Sequence, residues 1–156
     1  MAHDPEAHLR ELGHELPEVP EPAGAYVPAV RVGSLVFTAG QLPFEDGELP
    51  RTGKVGDAVT LEEAREAARR CALNALAAAA AEAGGLDRLA RIVKVTGYVA
   101  STPDFDRQPE VINGASDLIG EVFGEAGRHA RSAVGVAVLP QDAPVEVELV
   151  AELGDP

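Results

Sequence analysis

The chain has 156 residues, with 13 Lys+Arg against 26 Asp+Glu and a net charge of −13. At this length about 70% of the unfolded surface is buried on folding, enough for one core, and 46% hydrophobic with 25% charged residues excludes global disorder. The acidic surplus opposes nucleic-acid binding, the lone Cys71 excludes an internal disulfide, and the longest apolar run, Ala75–Ala81, falls far short of the about 20 residues that span a bilayer.

Residues 1–23, rich in acids and prolines, read as an N-terminal arm on the surface, with a short helix around Pro5–Leu12 and no apolar stretch of signal-peptide length. The expectation is a soluble cytoplasmic protein with no nucleic-acid and no membrane partner. His3, His8 and His14 fit no single helix face and read as solvated, and no Cys/His cluster has metal-ligand spacing, so no metal is expected. Residues 24–156 form the domain.

Val27–Thr38 alternates around Gly33-Ser34, a two-residue hairpin signal that joins two antiparallel strands. The loop beyond Gly40 contains Gly53-Lys54, which resembles a Walker turn. However, five residues separate Gly47 from Gly53 and Val55 stands where Ser or Thr would bind magnesium, so it reads as a surface turn. Thr60 and Glu63 make a capping box for a helix that runs to Ala83, where Gly84-Gly85 stops it. Cys71, on its apolar face, is either an inert core residue or a reactive thiol with no visible partner.

Asp87–Arg91 predicts a short helical turn and Ile92–Ala100 a central strand. After a loop, Ile112, Ala115, Ile119, Val122 and Phe123 keep helical spacing, and Arg131–Leu139 and Val145–Leu153 predict two closing strands. The order ββαβαββ is that of a single α+β domain in which two helices cover one face of the sheet. Val30, Val36, Val136 and Val138 cannot all lie under two helices, so self-association through the open face, as a closed ring, is expected.

No nucleophile elbow, zinc-protease helix or dinucleotide fingerprint occurs. Arg131, entering an apolar strand, needs an anion: either a substrate carboxylate gripped bidentately or a structural partner among the many acids. Glu146 either holds a water or belongs to a solvated face with Glu148. In a plain hairpin of the last two strands Arg131 would face Glu152, about six residues or roughly 20 Å from Glu146. A site using both would then need two subunits or another strand order.

Gly24-Ala25-Tyr26-Val27-Pro28-Ala29-Val30, Phe37-Thr38-Ala39-Gly40-Gln41-Leu42-Pro43, Asn113, Ala130-Arg131-Ser132 with Leu139-Pro140, and Val145-Glu146-Val147-Glu148 together resemble the Rid (YjgF) family from Gly24 to Leu153. The resemblance implies a chorismate-mutase-like domain with a mixed sheet, assembled as a homotrimer with ligand clefts between subunits. It implies that Arg131 grips the substrate carboxylate and Glu146 positions water. Tyr26 would line the cleft, Gly40 would supply a backbone contact, and Asn113 would be a polar helix residue close by. The implied activity is cofactor-free hydrolysis of enamines and imines such as 2-aminoacrylate to the 2-keto acid and ammonia. Two departures stand out: Ala133 where many members carry cysteine, and Ala39 where a hydroxyl residue is common. Two other functions compete, a non-catalytic binder of small carboxylates in the same cleft and, ranked last for a chain of charge −13, a ribonuclease.

Overall fold

The sheet takes its shape from one buried strand. In β5 (Val145–Leu153) every odd-numbered residue is buried and every even-numbered one half-buried, the alternation of a strand with one face against a core. The computed structural model describes residues 3–155; Met1, Ala2 and Pro156, the ends assigned to the arm and the domain, lie outside them. β1 (Ala29–Val32) and β2 (Leu35–Thr38) form the expected hairpin, with Gly33 at φ +60°. β3 (Leu89–Ala100) is preceded by a turn of 3-10 helix at Leu86–Arg88, and β4 (Ala130–Val136) completes the sheet in the order β1-β2-β5-β3-β4.

The last two strands are not a hairpin. β3 lies between them, antiparallel to β5 and parallel to β4. Parallel neighbours need a crossover, and α3 (Gln108–Phe123) supplies it. The premise that put Arg131 opposite Glu152 is therefore corrected.

α2 (Leu61–Ala83) starts at the capping box: Glu63 N–H donates to Thr60 Oγ1 at 3.1 Å and Thr60 N–H to Glu63 Oε1 at 3.0 Å. It ends at Gly84, φ +92°. Its alanine face packs on β5, and Cys71 is fully buried with Sγ 3.6 Å from the Val145 carbonyl. Burial, and then the charge of Glu146, pushes that thiol well above its ordinary value, which favours the inert reading. Lys54 pairs with Asp142, so the Gly53-Lys54 turn is tied to the segment before β5.

α3 lies unusually close to its neighbours. A Cβ on Gly97 of β3 would fall 2.4 Å from Ile112, and one on Gly114 would fall 2.1 Å from the Arg65 carbonyl oxygen of α2. Two glycines thus let α3 approach both the sheet and α2 closely.

Both long helices cover one face, as expected, and the other is open. Val30 and Phe37, paired across the hairpin, are 49% and 43% exposed, and Val134 is 44% exposed. Of the four valines that could not all lie under the helices, Val36 does: it aligns with Ala151 and is fully buried, while Val30 and Val138 are exposed.

The N-terminal segment, expected to lie on the surface, is docked. α1 (Pro5–Glu11), capped by Asp4, buries Leu9 to 2% exposure in the main core, and Leu16 and Val19 pack against the same core. His3 and His8, read as solvated, reach main-chain carbonyls of the body: His3 Nε2 lies 2.7 Å from Leu89 O and His8 Nδ1 2.8 Å from Val122 O. Burying Leu9 contributes roughly 2 kcal/mol, enough to hold so short a helix in place. No helix among the described residues is long and apolar enough to cross a membrane.

Candidate functional site

Aligned residues of neighbouring strands share a face. Arg131 aligns with Val95, which aligns with Leu149, and both are buried beneath the helices. Glu146 aligns with Tyr98, which aligns with Val134 on the open side. The two sequence-identified residues therefore sit on opposite faces, three residues apart along the sheet and two strands apart across it. That is about 10 Å in each direction. One chain does not bring them to a single small molecule.

At the outer edge Arg131 turns toward α3. Its Nη1 donates to Asn113 Oδ1 at 2.7 Å and to Ser116 Oγ at 3.2 Å, and its Nη2 donates to the Pro109 carbonyl at 3.3 Å. All three acceptors are neutral. Among the described residues no carboxylate lies within ion-pair distance of Arg131, even in a chain with 26 acids. Among the described residues the structural ion-pair reading is not realised, and Asn113 accepts directly from Arg131. Of the five N–H donors, Nη1 spends both of its own and Nη2 one, leaving Nε–H and one Nη2 proton. Nε–H and an Nη2 proton are the pair of donors that can make two parallel bonds to a carboxylate.

Tyr26, Gly40 and Glu146 gather elsewhere. They line a shallow cavity of about 50 Å³ together with Pro28, Gln41 and Pro140. The local cause is a slip between β2 and β5. Phe37 pairs with Val150 but Gln41 bridges to Val147, and the Thr38 hydroxyl takes the Leu149 N–H at 3.0 Å in between. The slip presses Gly40 on Glu146, so that a Cβ at 40 would fall 2.8 Å from the Glu146 carboxyl. Asn74, buried on α2, donates from Nδ2 to the carbonyls of Leu42 and Phe44, both at 3.0 Å, and so fixes the following loop.

Burial, and then the charge of Glu148, raises the Glu146 carboxyl above its ordinary value. Glu148 accepts a hydrogen bond from Tyr98, and that bond, followed by burial, pushes the phenol up to about 12. Glu146 is thus half-buried, with its carboxyl held above the ordinary value, rather than one of a fully solvated row.

Sequence reasoning missed Ser116, His129, Tyr98 and Asn74. Ser116 lies three residues after Asn113, on the same helix face, and that spacing was a usable signal. Two larger hollows, of about 500 and 660 Å³, flank α2 beside the N-terminal segment; Asn74 lines the second, and neither is lined by Arg131, Glu146, Tyr26, Gly40 or Asn113. Among the described residues no three His, Cys, Asp or Glu side chains are grouped to hold a metal.

An α+β domain with a βαβ crossover at one sheet edge, an uncovered opposite face and an unneutralised arginine defines the class. Residues 6–153 match the family model described as "YjgF/chorismate_mutase-like, putative endoribonuclease", and the chain belongs to this family, also called Rid. Among its relatives, Protein TCP17 of Trypanosoma cruzi is 47% identical over 150 residues, 96% of this chain and 94% of that protein. The 2-iminobutanoate/2-iminopropanoate deaminase of Salmonella typhimurium is 36% identical over 134 residues, 85% of this chain and 90% of that protein. Among solved structures, Atu1372 of Agrobacterium tumefaciens superposes with a TM-score of 0.89 at 46% identity, covering 96% of this chain and 93% of that one. The E. coli YjgF gene product superposes with a TM-score of 0.62 at 30% identity, covering 86% and 93%. The family's members include imine deaminases, which is the general activity to which this chain is related.

Proposed function

We propose that the protein hydrolyses small carboxylate-bearing imines and enamines, of the 2-iminopropionate and 2-aminoacrylate type, to the 2-keto acid and ammonia, in a cleft between copies of the chain arranged as a homotrimer. The observation that carries the proposal is the guanidinium of Arg131: half-buried, held by neutral acceptors only, with Nε–H and one Nη2 proton unpaired among the described residues. A cation desolvated in this way gains most from a bound carboxylate.

The reaction needs little else. Arg131 holds the substrate carboxylate, with Asn113 beside it. Water held by Glu146 attacks the iminium carbon and passes a proton to the Glu146 carboxylate, giving a carbinolamine. The proton then returns to nitrogen; as the C–N bond breaks and ammonia leaves, Glu146 takes the remaining hydroxyl proton, the C=O forms, and that proton passes to the released ammonia or to water. A carboxyl held above its ordinary value suits both transfers. Tyr26 and the Gly40 backbone wall the Glu146 side.

Within one chain the two halves are on opposite faces, and the 50 Å³ cavity is small beside the about 300 Å³ of a typical ligand pocket. A second copy offering its Arg131 edge to the Glu146 cavity of the first supplies the missing wall. The exposed Val30, Phe37 and Val134 support burial of the open face in that assembly. Light scattering at micromolar concentration should give the mass of three chains; a monomer would refute the composite site.

The activity test uses 2-iminopropionate generated in situ by an amino-acid oxidase. The protein should accelerate ammonia release over buffer, and Arg131→Ala should abolish the acceleration while the assembly persists. Saturable binding of 2-keto acids without ammonia release would instead identify a carboxylate binder.

A further inference from the structure

Behind Arg131 stands a second layer that no part of the proposed chemistry uses. His129 Nδ1 lies 2.6 Å from the Gly127 carbonyl oxygen, and Nε2 lies 2.9 Å from Ser116 Oγ. A carbonyl can only accept, so Nδ1 carries the proton. In the neutral ring Nε2 is then an acceptor, and the Ser116 hydroxyl proton points to it. That leaves the lone pairs of Oγ for Arg131 Nη1, 3.2 Å away. Donation runs in one direction, from guanidinium to hydroxyl to imidazole to main chain.

Each link has a fixed mounting. Ser116 is on α3, one turn beyond Asn113, and the helix is seated by the close contacts at Gly97 and Gly114. His129 lies two residues before Arg131, and Gly127 is buried against the Ile119 carbonyl, where an added Cβ would fall 2.7 Å away. The relay therefore ties the entry of β4 to the middle of α3.

We infer that Ser116 and His129 are positioning residues that lock the plane of the Arg131 guanidinium. With Asn113 they consume both Nη1 protons, so that only the Nε/Nη2 edge can receive a ligand. This rests on Arg131 being the anchor, and the fixed plane favours a ligand that presents both oxygens of a carboxylate to it edge-on. An amide offers that edge one acceptor oxygen and is discriminated against. Arg has long, freely rotating side-chain torsions, and fixing them before binding removes an entropic cost that the ligand would otherwise meet.

The test titrates 2-oxobutanoate into the full-length protein by calorimetry, with steady-state ammonia release in parallel. Ser116→Ala should weaken 2-oxobutanoate binding about tenfold, the usual effect of one lost orienting hydrogen bond to a charged group. KM should rise with it, while kcat changes less than about threefold. His129→Asn keeps a donor for the Gly127 carbonyl but offers nothing at the Nε2 position, and should have the same effect. The double variant should be no weaker than either single one, because the two act in series. Ser116→Thr should restore binding. If Ser116→Ala and His129→Asn bind within about twofold of the wild type while Arg131→Ala does not bind, the positioning role is overturned and the anchor stands; full additivity in the double variant also overturns it. If Arg131→Ala binds undiminished, the underlying reading falls and the inference falls with it.

Discussion

A single methyl group at position 40 probes the Glu146 half of the site. Gly40 does not occupy the left-handed backbone region, so alanine is sterically allowed by the main chain itself. Its Cβ would fall 2.8 Å from both Cδ and Oε1 of Glu146 and 3.1 Å from Cγ. Carbon atoms pack at about 3.5 Å or more, so the carboxyl must retreat by about 0.7 Å. It is the free end of a flexible side chain, and the displacement costs about 1 kcal/mol or less in stability. Reacting groups are less tolerant: a displacement of about 1 Å can cost about 100-fold in rate, so Gly40→Ala should lower kcat by about tenfold or more. KM should change less, since the proposed carboxylate anchor is Arg131, away from this methyl group. The assay is ammonia release from 2-iminopropionate with thermal melting of the same preparation. A kcat within about twofold of the wild type at unchanged Tm would refute the claim that Glu146 positions water.

Gly114→Ala should act on the fold instead. Its Cβ would fall 2.1 Å from a main-chain oxygen of α2, so the helices must separate, at a cost of about 3 kcal/mol in urea unfolding; a loss under about 1 kcal/mol would contradict the close crossing. Leu9→Ala should cost about 2–3 kcal/mol and release α1, read as faster amide exchange over residues 5–11, and unchanged protection would contradict the docked arm. Glu146→Gln should abolish turnover and also alter the pH dependence of stability. The folded carboxyl holds its proton more tightly than the unfolded chain does, so stability falls as pH rises from the ordinary carboxylate range through the raised value. The variant should therefore melt higher than the wild type near about pH 7 and alike near about pH 3, and a lower Tm at neutral pH would contradict the raised carboxyl.

Much of the framework was legible because it is local. The capping box at Thr60 and Glu63, the Gly33-Ser34 turn and the alternation of Val145–Leu153 are each decided within a few residues, and each is present in the structure. Strand order is not local. β4 is a short strand of small residues, half of them exposed, and nothing in its pattern says whether it pairs with β3 or β5. The rule that a strand, a helix and a strand usually make a parallel unit would have decided it, and with it the face on which Arg131 lies. Which of Val30 and Val36 lies under the helices was open for a related reason: a strand's face is fixed by its register, which the hairpin alone leaves open. In the arm, Leu9, Leu16 and Val19 are spread among acids and prolines, too sparse to produce a helical period, yet each finds the core. Ser116 and His129 meet only because the Gly124–Gly127 turn folds the chain back along α3.

The most direct test of the central claim is a crystal structure of the protein with bound 2-oxobutanoate. The account predicts the carboxylate on the Nε/Nη2 edge of Arg131, with the keto carbon facing the Glu146 carboxyl of a second copy of the chain. A keto acid bound away from Arg131, or Arg131 and Glu146 lining separate unoccupied surfaces in the assembled protein, would contradict it.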